Sequence, residues 1–336
     1  MVKISVIIPA YNRSLMLLQA LHSLEQQTLS YADFEVIVVD NNSKDNTRVC
    51  IEDYVRTTAL QFSYVLETRQ GDIYTRHTGA KLAKGNILYF TDDDATFDVN
   101  MLEEILKIFT IHPEVGALGT RIRVVWDEKE PEWIHQYENY LGRRSMQQSG
   151  LCISTKGLYL NNGSLAIRKD IFAQVRGNNP GQVGDYLIGD AEVGLCFKMH
   201  QLGIPLAFTD DVTMWHHQVV ARNATKRDVR RRVRNLGISD AYSDLFTLHN
   251  RRVRETVISI MRTVPAWVKN VLLGNPERSM NASLAILRYC TRLEYYWRYR
   301  HDKALMAAMS NRDWLFDDNY VTPSVIYCST NDNAGE

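Results

Sequence analysis

The sequence predicts an α/β fold in which a mainly parallel sheet is flanked by helices. Four apolar runs rich in β-branched residues alternate with segments of helical spacing, and these runs are 4–10, 35–40, 62–67 and 87–91. After the first run, leucines recur at three-residue steps from Leu15 to Leu24, which predicts a helix. Because short strands that alternate with helices pair in parallel, both faces of the sheet are expected to be covered.

The composition is that of an ordinary globular protein. Of 336 residues, 45% are hydrophobic and 23% are charged, and the formal net charge is zero, so no overall field favours nucleic acid. Five scattered cysteines without a CxxC pair predict neither a disulfide framework nor a zinc site. No stretch reaches the roughly 18 apolar residues of a membrane span. We therefore expect a cytoplasmic protein, either soluble or lying on the inner face of the cell membrane.

The chain divides by composition into three parts. We expect a catalytic domain over 1–221 with halves at 1–98 and 99–221, a basic helical region over 222–322 and a flexible polar tail over 323–336. In the basic region, "VISIMRTVPAWVKNVLL" combines an apolar face with flanking cations, which is typical of a helix on an anionic membrane. A helical bundle packed on the catalytic domain, or on the partner of a homodimer, is the alternative.

Polar clusters follow three of the predicted strands, namely Pro9 to Asn12, Asp40 to Asn42 and Asp92 to Asp94. Because the carboxyl ends of parallel strands meet at one edge, these clusters are expected to form a site rather than ordinary polar loops. The sequence contains neither GxGxxG after the first strand nor GxxxxGK[ST]. A dinucleotide-binding or P-loop site would therefore lack its phosphate loop.

Three consecutive aspartates in "ILYFTDDDAT" repel one another, and partial burial strengthens that repulsion. A divalent cation, Mn²⁺ or Mg²⁺, bridging the carboxylates to a nucleotide's phosphates would relieve it. A helix N-cap explains only one aspartate. The letters D-x-D-x-T also fit haloacid-dehalogenase-like phosphatases, in which Asp92 would be the nucleophile, but there the motif normally follows the first strand.

Five stretches taken together resemble the family-2 glycosyltransferases with the Rossmann-like GT-A fold. They are "SVIIPAYNR", "VIVVDNNSKDNT", "AKLAKGNILYFTDDDA", "NNGSLAIRKDIF" and "GDAEVGLCFKMHQLG". The resemblance implies inverting transfer of a sugar from a nucleotide-diphosphate donor, in the first place a UDP-sugar. The acceptor would be a hydroxyl of a glycan or lipid-linked molecule in surface polysaccharide synthesis. A non-catalytic sugar-nucleotide-binding or scaffold subunit is the alternative from another class.

The resemblance also assigns roles to individual residues. The donor-nucleotide side would comprise Pro9, Tyr11, Asn12, Asp40, Asn42, Gly71, Arg76, Asp92 and Asp93. The metal would be held by Asp92, Asp94 and His216, and the acceptor or donor-sugar side would comprise Asn162, Gly163 and Glu192. Asp190 would be the catalytic base or, alternatively, only a helix cap. Gly189 and His77 stand where the family has glutamate and asparagine.

Overall fold

A computed structural model describes residues 1–147, 150–183, 186–187, 189–303, 305 and 325–329. The strands are β1 (Ile4–Ala10), β2 (Phe34–Asp40), β3 (Gln61–Leu66), β4 (Ile87–Thr91), β5 (Ala95–Phe97), β6 (Ala117–Trp126), β7 (Leu151–Ser154), β8 (Ser164–Arg168), β9 (Gln182–Val183), β10 (Tyr186–Leu187), β11 (Leu206–Gln218) and β12 (Val325–Ser329). The helices are α1 (Ser14–Glu25), α2 (Thr47–Val55), α3 (Asp72–Leu82), α4 (Met101–Ile111), α5 (Lys169–Gln174), α6 (Ala191–Gln201), α7 (Val220–Asn223), α8 (Lys226–Tyr242), α9 (Val253–Leu272) and α10 (Pro276–His301). A 3₁₀ helix covers Glu132–Leu141, and a π-helical turn covers Ser243–Thr247.

The strands of the main sheet stand in the order β12-β3-β2-β1-β4-β8-β6-β11-β5, and β7 also pairs with β11. The four strands predicted from the sequence, β1 to β4, are neighbours and run parallel. Beyond them β8 runs antiparallel to both β4 and β6, so the two predicted halves of the catalytic domain share one sheet. This arrangement is the α/β fold that the sequence predicts.

Both faces of the sheet are covered, as expected from the continuous apolar strands. Along β1, alternate side chains enter different cores: Val6 and Ile8 pack in one, and Ile7 packs in the other. Helix α1 buries Leu17 and Leu21 in the first core, because residues four apart lie on the same helical face. This double packing fixes the strand ends, and therefore the loops that follow them.

The basic C-terminal helices pack on the preceding part of the chain, through the 3₁₀ helix. Val229 and Val233 of α8 and Leu284 of α10 form one buried cluster with Ile134 and Tyr137 of the 3₁₀ helix. None of the described helices is both long and apolar enough to cross a membrane.

The expected flexible tail is only partly within the described residues. The stretch 325–329 is strand β12, antiparallel to β3, and the flexibility expected of the tail stays a prediction. Tyr327 stacks on Tyr64 with ring centroids 5.6 Å apart, a contact that composition alone does not indicate. Residues 323–324 and 330–336 of the expected tail lie outside the described residues.

Candidate active site

Three side chains with metal-binding groups meet at the carboxyl edge of the sheet. Asp92 and Asp94 follow β4, and His216 lies on β11 opposite Ala95 of β5. One ligand atom from each of the three lies within 4.8 Å of the others, so the structure brings the predicted group together. The neighbouring His217 is turned away, because its Nε2 forms a 2.8 Å hydrogen bond with a threonine hydroxyl.

The donor atoms of this group fit a divalent cation. Asp94 Oδ1 is buried without a hydrogen-bond partner among the described residues, and it lies 3.1 Å from His216 Nε2. His216 Nδ1 lies 2.9 Å from the carbonyl of Leu141, which can only accept, so Nδ1 carries the proton. Burial lowers the pKa of His216, but the adjacent Asp94 outweighs it, so that this pKa is raised. Once the ring loses its second proton, Nε2, which lies 2.9 Å from the Gln218 amide nitrogen, offers a lone pair. Carboxylate oxygens beside an oriented imidazole suit Mn²⁺.

Arg13 neutralises the two inner aspartates. Its Nη1 donates to Asp93 Oδ1 at 2.8 Å and to Asp94 Oδ2 at 2.6 Å. Burial raises the pKa of Asp93, and the charge of Asp94 adds to this while Arg13 opposes it. Burial also raises the pKa of Asp94, but His216 and Arg13 outweigh it, so that this pKa is lowered. Sequence reasoning did not single out Arg13, although it stands in "SVIIPAYNR", in the loop directly after β1.

Arg76 is buried and orients Asp92. Its Nη2 donates to Asp92 Oδ1 at 2.5 Å, and its Nε donates to both oxygens of Asp72 at 3.0 Å. Its Nη1 donates to the carbonyls of Thr91 and Asn162 at 3.3 and 3.0 Å. Every nitrogen of Arg76 is engaged and the residue is 2% exposed, so in this structure it positions the carboxylate of Asp92. Its contact with a base or a diphosphate, which the sequence-based assignment expected, stays a prediction.

The end of β1 and the loop after it carry three of the predicted nucleotide-side residues. Pro9 lies in register with Val39 of β2, and the ring of Tyr11 is exposed. Asn12 has a φ of 54°, a conformation that asparagine tolerates, and its Oδ1 accepts the Lys44 amide at 2.7 Å. This hydrogen bond ties the loop after β1 to the loop after β2.

Asp40 anchors the loop after β2. Its Oδ1 accepts the amide and the hydroxyl of Ser43 at 2.9 and 2.6 Å, and its Oδ2 accepts the Tyr64 hydroxyl at 2.6 Å. Asn42, which lies between Asp40 and Ser43 in the chain, is partly exposed and has a φ of 63°. The carboxylate of Asp40 therefore shapes the loop, and its contact with a ribose stays a prediction.

Asn41 holds the loop that contains Gly71. Its Nδ2 donates to the carbonyls of Glu67 and Arg69 at 3.1 and 2.6 Å, and its Oδ1 accepts the Gly71 amide at 2.8 Å. Gly71 has a φ of 147°, which a residue with a Cβ rarely adopts. The sequence analysis gave Asn41 no role of its own. A buried side chain that holds a loop in place has no sequence signal beyond its position between two predicted site residues.

Asn162, Gly163 and Glu192 lie next to Asp92. A Cβ on Gly163 would come within 2.9 Å of Asp92 Oδ2, so a larger residue there would displace that carboxylate. Asn162 Nδ2 lies 3.5 Å from Glu192 Oε2. Burial raises the pKa of Glu192 to about 7, with Asp72 and Asp92 adding to the shift and Arg76 opposing it. Glu192 is thus a carboxyl group beside the metal-binding group that exchanges protons near neutrality.

Asp190 does not share this environment. Its Oδ1 accepts the Asn179 amide at 2.8 Å, and its Oδ2 accepts the hydroxyls of Ser243 and Thr247 at 2.7 and 3.2 Å. It is 2% exposed, and burial raises its pKa although these hydrogen bonds oppose the shift. Both oxygens of this buried carboxylate are engaged in the structure, and the sequence-based assignment of Asp190 as the base stays a prediction. Asp190 joins the start of α6 to the π-helical turn.

Known proteins resemble this chain in sequence. An uncharacterized glycosyltransferase of Haemophilus influenzae is 31% identical over 182 residues, which are 52% of this chain and 55% of that protein. A glucosyl-dolichyl phosphate glucuronosyltransferase of Haloferax volcanii is 25% identical over 209 residues, 59% of this chain and 64% of that protein. The chain therefore spans only about half to two thirds of the length of these relatives.

A solved structure shares the fold. It is the mannosyltransferase PcManGT from Pyrobaculum calidifontis in complex with GDP-Man and Mn²⁺, and it covers 94% of this chain and 85% of its own with a TM-score of 0.56 and 17% identity. The fold is therefore that of the GT-A glycosyltransferases. The family model described as "Glycosyl transferase family 2" matches residues 5–176, just over half of the chain, and the chain belongs to that family.

Proposed function

We propose that the protein is a metal-dependent inverting glycosyltransferase that moves a sugar from a nucleotide diphosphate, a UDP-sugar in the first place, to a hydroxyl of a glycan or lipid-linked acceptor. The observation that carries the proposal is the group of Asp92, Asp94 and His216 at the carboxyl edge of the sheet. These residues would hold Mn²⁺ or Mg²⁺, which would stabilise the charge of the leaving diphosphate. The donor nucleotide would lie over the loops of Tyr11, Asn42 and Gly71.

Glu192 is the proposed catalytic base. An acceptor hydroxyl loses its proton to the carboxylate while its oxygen attacks the anomeric carbon and the bond to the diphosphate breaks. Glu192 lies beside Asn162, whose amide is its described contact at 3.5 Å, so an oxygen is available for a substrate proton. Arg76 holds Asp92 in place through their ion pair, and Gly163 leaves room for the donor sugar beside that carboxylate.

Surface polysaccharide synthesis is the proposed setting. The Haloferax volcanii relative is named for a dolichyl phosphate substrate. Another relative, the poly(ribitol-phosphate) β-N-acetylglucosaminyltransferase TarS of Staphylococcus aureus, is 31% identical over 112 residues, 33% of this chain and 20% of that protein. Both names describe transfer to a polymer or lipid carrier, which supports an acceptor of that class here.

The proposal is tested by calorimetric titration of UDP, and then of GDP, in Mn²⁺ and in EDTA. We expect binding that requires the metal and that Asp94→Asn weakens, because one ligand oxygen is lost. Ile153→Ala, at an exposed position on β7, is the control and should leave binding unchanged. Absence of metal-dependent binding for both nucleotides, and for dTDP, would contradict the proposal.

The two alternatives make different predictions. A non-catalytic donor-binding subunit would bind the nucleotide in the presence of metal but would show no transfer activity of its own. Glu192→Gln would therefore change nothing in a transfer assay. The dehalogenase-like phosphatase is wrong, because the chain belongs to another family and Asp92 follows the fourth strand of its sheet.

We also propose that α9 rests on an anionic membrane surface. Val257, Met261, Val264 and Val268 follow one another at three- or four-residue steps and are all exposed, so they form one apolar stripe. Exposed Arg254, Arg262 and Lys269 lie on the same helix, against the single acidic residue Glu255. An apolar stripe with neighbouring cations matches acyl chains below anionic headgroups.

Co-sedimentation with vesicles tests this surface. We expect binding to vesicles that contain phosphatidylserine, weakened by salt and by Met261→Asp, and unchanged by Ile111→Asp at an exposed apolar position on α4. If Met261→Asp instead dissociates a dimer in sedimentation velocity and leaves vesicle binding unchanged, the stripe is a contact between two copies of the chain.

A further inference from the structure

A second cavity lies behind α6, away from the side on which Glu192 meets Asn162. Its volume is about 430 Å³, within the range of small-molecule sites. Helices α6, α8 and α10, the π-helical turn and the segment before α9 enclose it. The residues that matter for its chemistry are Asp240, Asp244, Arg252, Arg288, Arg292 and Tyr159.

The lining of this cavity carries more cationic than anionic side chains. Arg288 donates to both oxygens of Asp240 at 2.6 and 2.8 Å, and Arg292 Nε donates to Asp244 at 2.7 Å. Among the described residues, no hydrogen bond engages Nη1 of either arginine. Arg252 is looser still, since its Nε lies 4.0 Å from Asp244. Three arginines against two aspartates leave one positive charge, with guanidinium donors held in place by their partners.

The opposite wall is aromatic and aliphatic. Tyr159 and Phe197 pack edge to face with centroids 5.2 Å apart, and Val193 lies beside them. Oriented guanidinium groups bind phosphate and carboxylate, and rings provide a surface for the faces of sugars. The combination suits a sugar or polyol that carries an oxyanion.

The cavity and the proposed base share the first turns of α6. Val193 and Phe197, four residues apart, lie on one helical face and line the cavity. Glu192 directly precedes Val193 and faces the metal-binding side. Ser243 lines the cavity and donates to Asp190, so the buried Asp190 fixes the cavity wall to the same turn. The cavity wall and the proposed base are therefore held by the same turn of α6.

We infer that this cavity is an acceptor subsite that binds a phosphate or carboxylate group carried by the acceptor sugar or polyol. That the ligand is the acceptor rests on the proposed function, whereas the binding of an anion in this cavity does not. Arg252 supplies the donor that is not committed to an aspartate, and the excess positive charge selects an anionic acceptor over a neutral one.

The test is calorimetric titration of inorganic phosphate, glycerol 1-phosphate, glucuronate and glucose into the full chain in EDTA, so that no metal can capture the anions. We expect the wild type to bind one or more of the three anions and not glucose. Preference among the anions distinguishes phosphate from carboxylate. Arg252→Gln should weaken that binding about tenfold or more, because a charge-assisted hydrogen bond is lost. Arg278→Gln removes an exposed arginine of α10 outside the cavity lining and should leave binding unchanged.

The inference is overturned if the wild type binds none of the anions, or if Arg252→Gln and Arg278→Gln behave alike. Melting curves should show that both variants are folded. The control arginine is exposed, and Arg252 Nε lies 4.0 Å from Asp244, so neither substitution removes a close ion pair. UDP binding with Mn²⁺ should be equal in both variants. Loss of metal-dependent UDP binding in the wild type, with anion binding intact, would remove the proposed function and leave the anion site standing.

Discussion

Asp190 and Glu192 stand two residues apart at the start of α6, yet their surroundings differ. The two oxygens of Asp190 accept three side-chain hydrogen bonds, whereas Glu192 has one described side-chain contact, at 3.5 Å. Burial raises the pKa of both carboxyl groups. A raised pKa therefore does not distinguish a structural acid from a reactive one. What distinguishes them is whether an oxygen is left for the substrate and whether the acid faces the metal-binding group.

The strongest test of this comparison is Glu192→Gln. Removing the proposed base should lower kcat for transfer by about 10²- to 10⁴-fold, the range for loss of a general base. The substitution keeps the shape of the side chain, so metal-dependent UDP binding should persist in calorimetry. Transfer at the wild-type rate would show that another group takes the proton.

His216→Gln tests the metal-binding side against a neighbouring control. Loss of the imidazole should weaken Mn²⁺ affinity by about 10- to 100-fold, the range seen even for outer-shell partners. His217→Gln should have a much smaller effect, because His217 contacts Thr96 instead of the aspartates. Titration of Mn²⁺ in the presence of UDP measures both, and equal losses would show that the two histidines are not functionally distinct.

The pH dependence of kcat/KM should report Glu192. Its pKa of about 7 means that the carboxylate, which is the reactive form, is lost below neutrality. The rate should therefore fall about tenfold per pH unit below pH 7, and Glu192→Gln should remove this limb from its residual activity. Because the folded-state pKa is raised, ionisation of Glu192 also lowers the free energy of unfolding as pH rises from about 4 to 7. A limb retained in Glu192→Gln would belong to another group.

Asp190→Asn should give the smallest change in rate and a measurable change in stability. Loss of charge-assisted hydrogen bonds from Asn179, Ser243 and Thr247 should lower the free energy of unfolding by about 1–3 kcal/mol in urea. Transfer by the folded variant should stay close to wild type. A large loss of kcat at unchanged stability would restore Asp190 as the base.

The sequence predicted the site at the level of segments. Strand–helix alternation indicated the parallel order of β1 to β4, and the polar clusters indicated which edge carries the site. The D-x-D letters and a histidine late in the chain indicated the metal-binding group. Each of these inferences depends on a pattern within one stretch, or on the rule that parallel strands end at the same edge, and such patterns are visible without coordinates.

Individual roles depended on contacts between distant parts of the chain. That Arg76 contacts Asp92 follows from how α3 packs on β1 and β2 beside the end of β4, and that Arg13 neutralises Asp93 follows from the neighbouring positions of β1 and β4. Asp190 is enclosed by residues more than fifty positions later, which no local pattern indicates.

The sequence by itself therefore determined the fold class, the edge of the sheet that carries the site and the residues able to bind a metal. Tertiary structure decided which carboxylates are saturated and which keep a free oxygen, because hydrogen-bond partners are chosen by packing and not by neighbours in the chain. Asp190 and Glu192 are the clearest case, since the two residues look equivalent in the sequence, whereas in the structure Ser243 and Thr247 engage only Asp190.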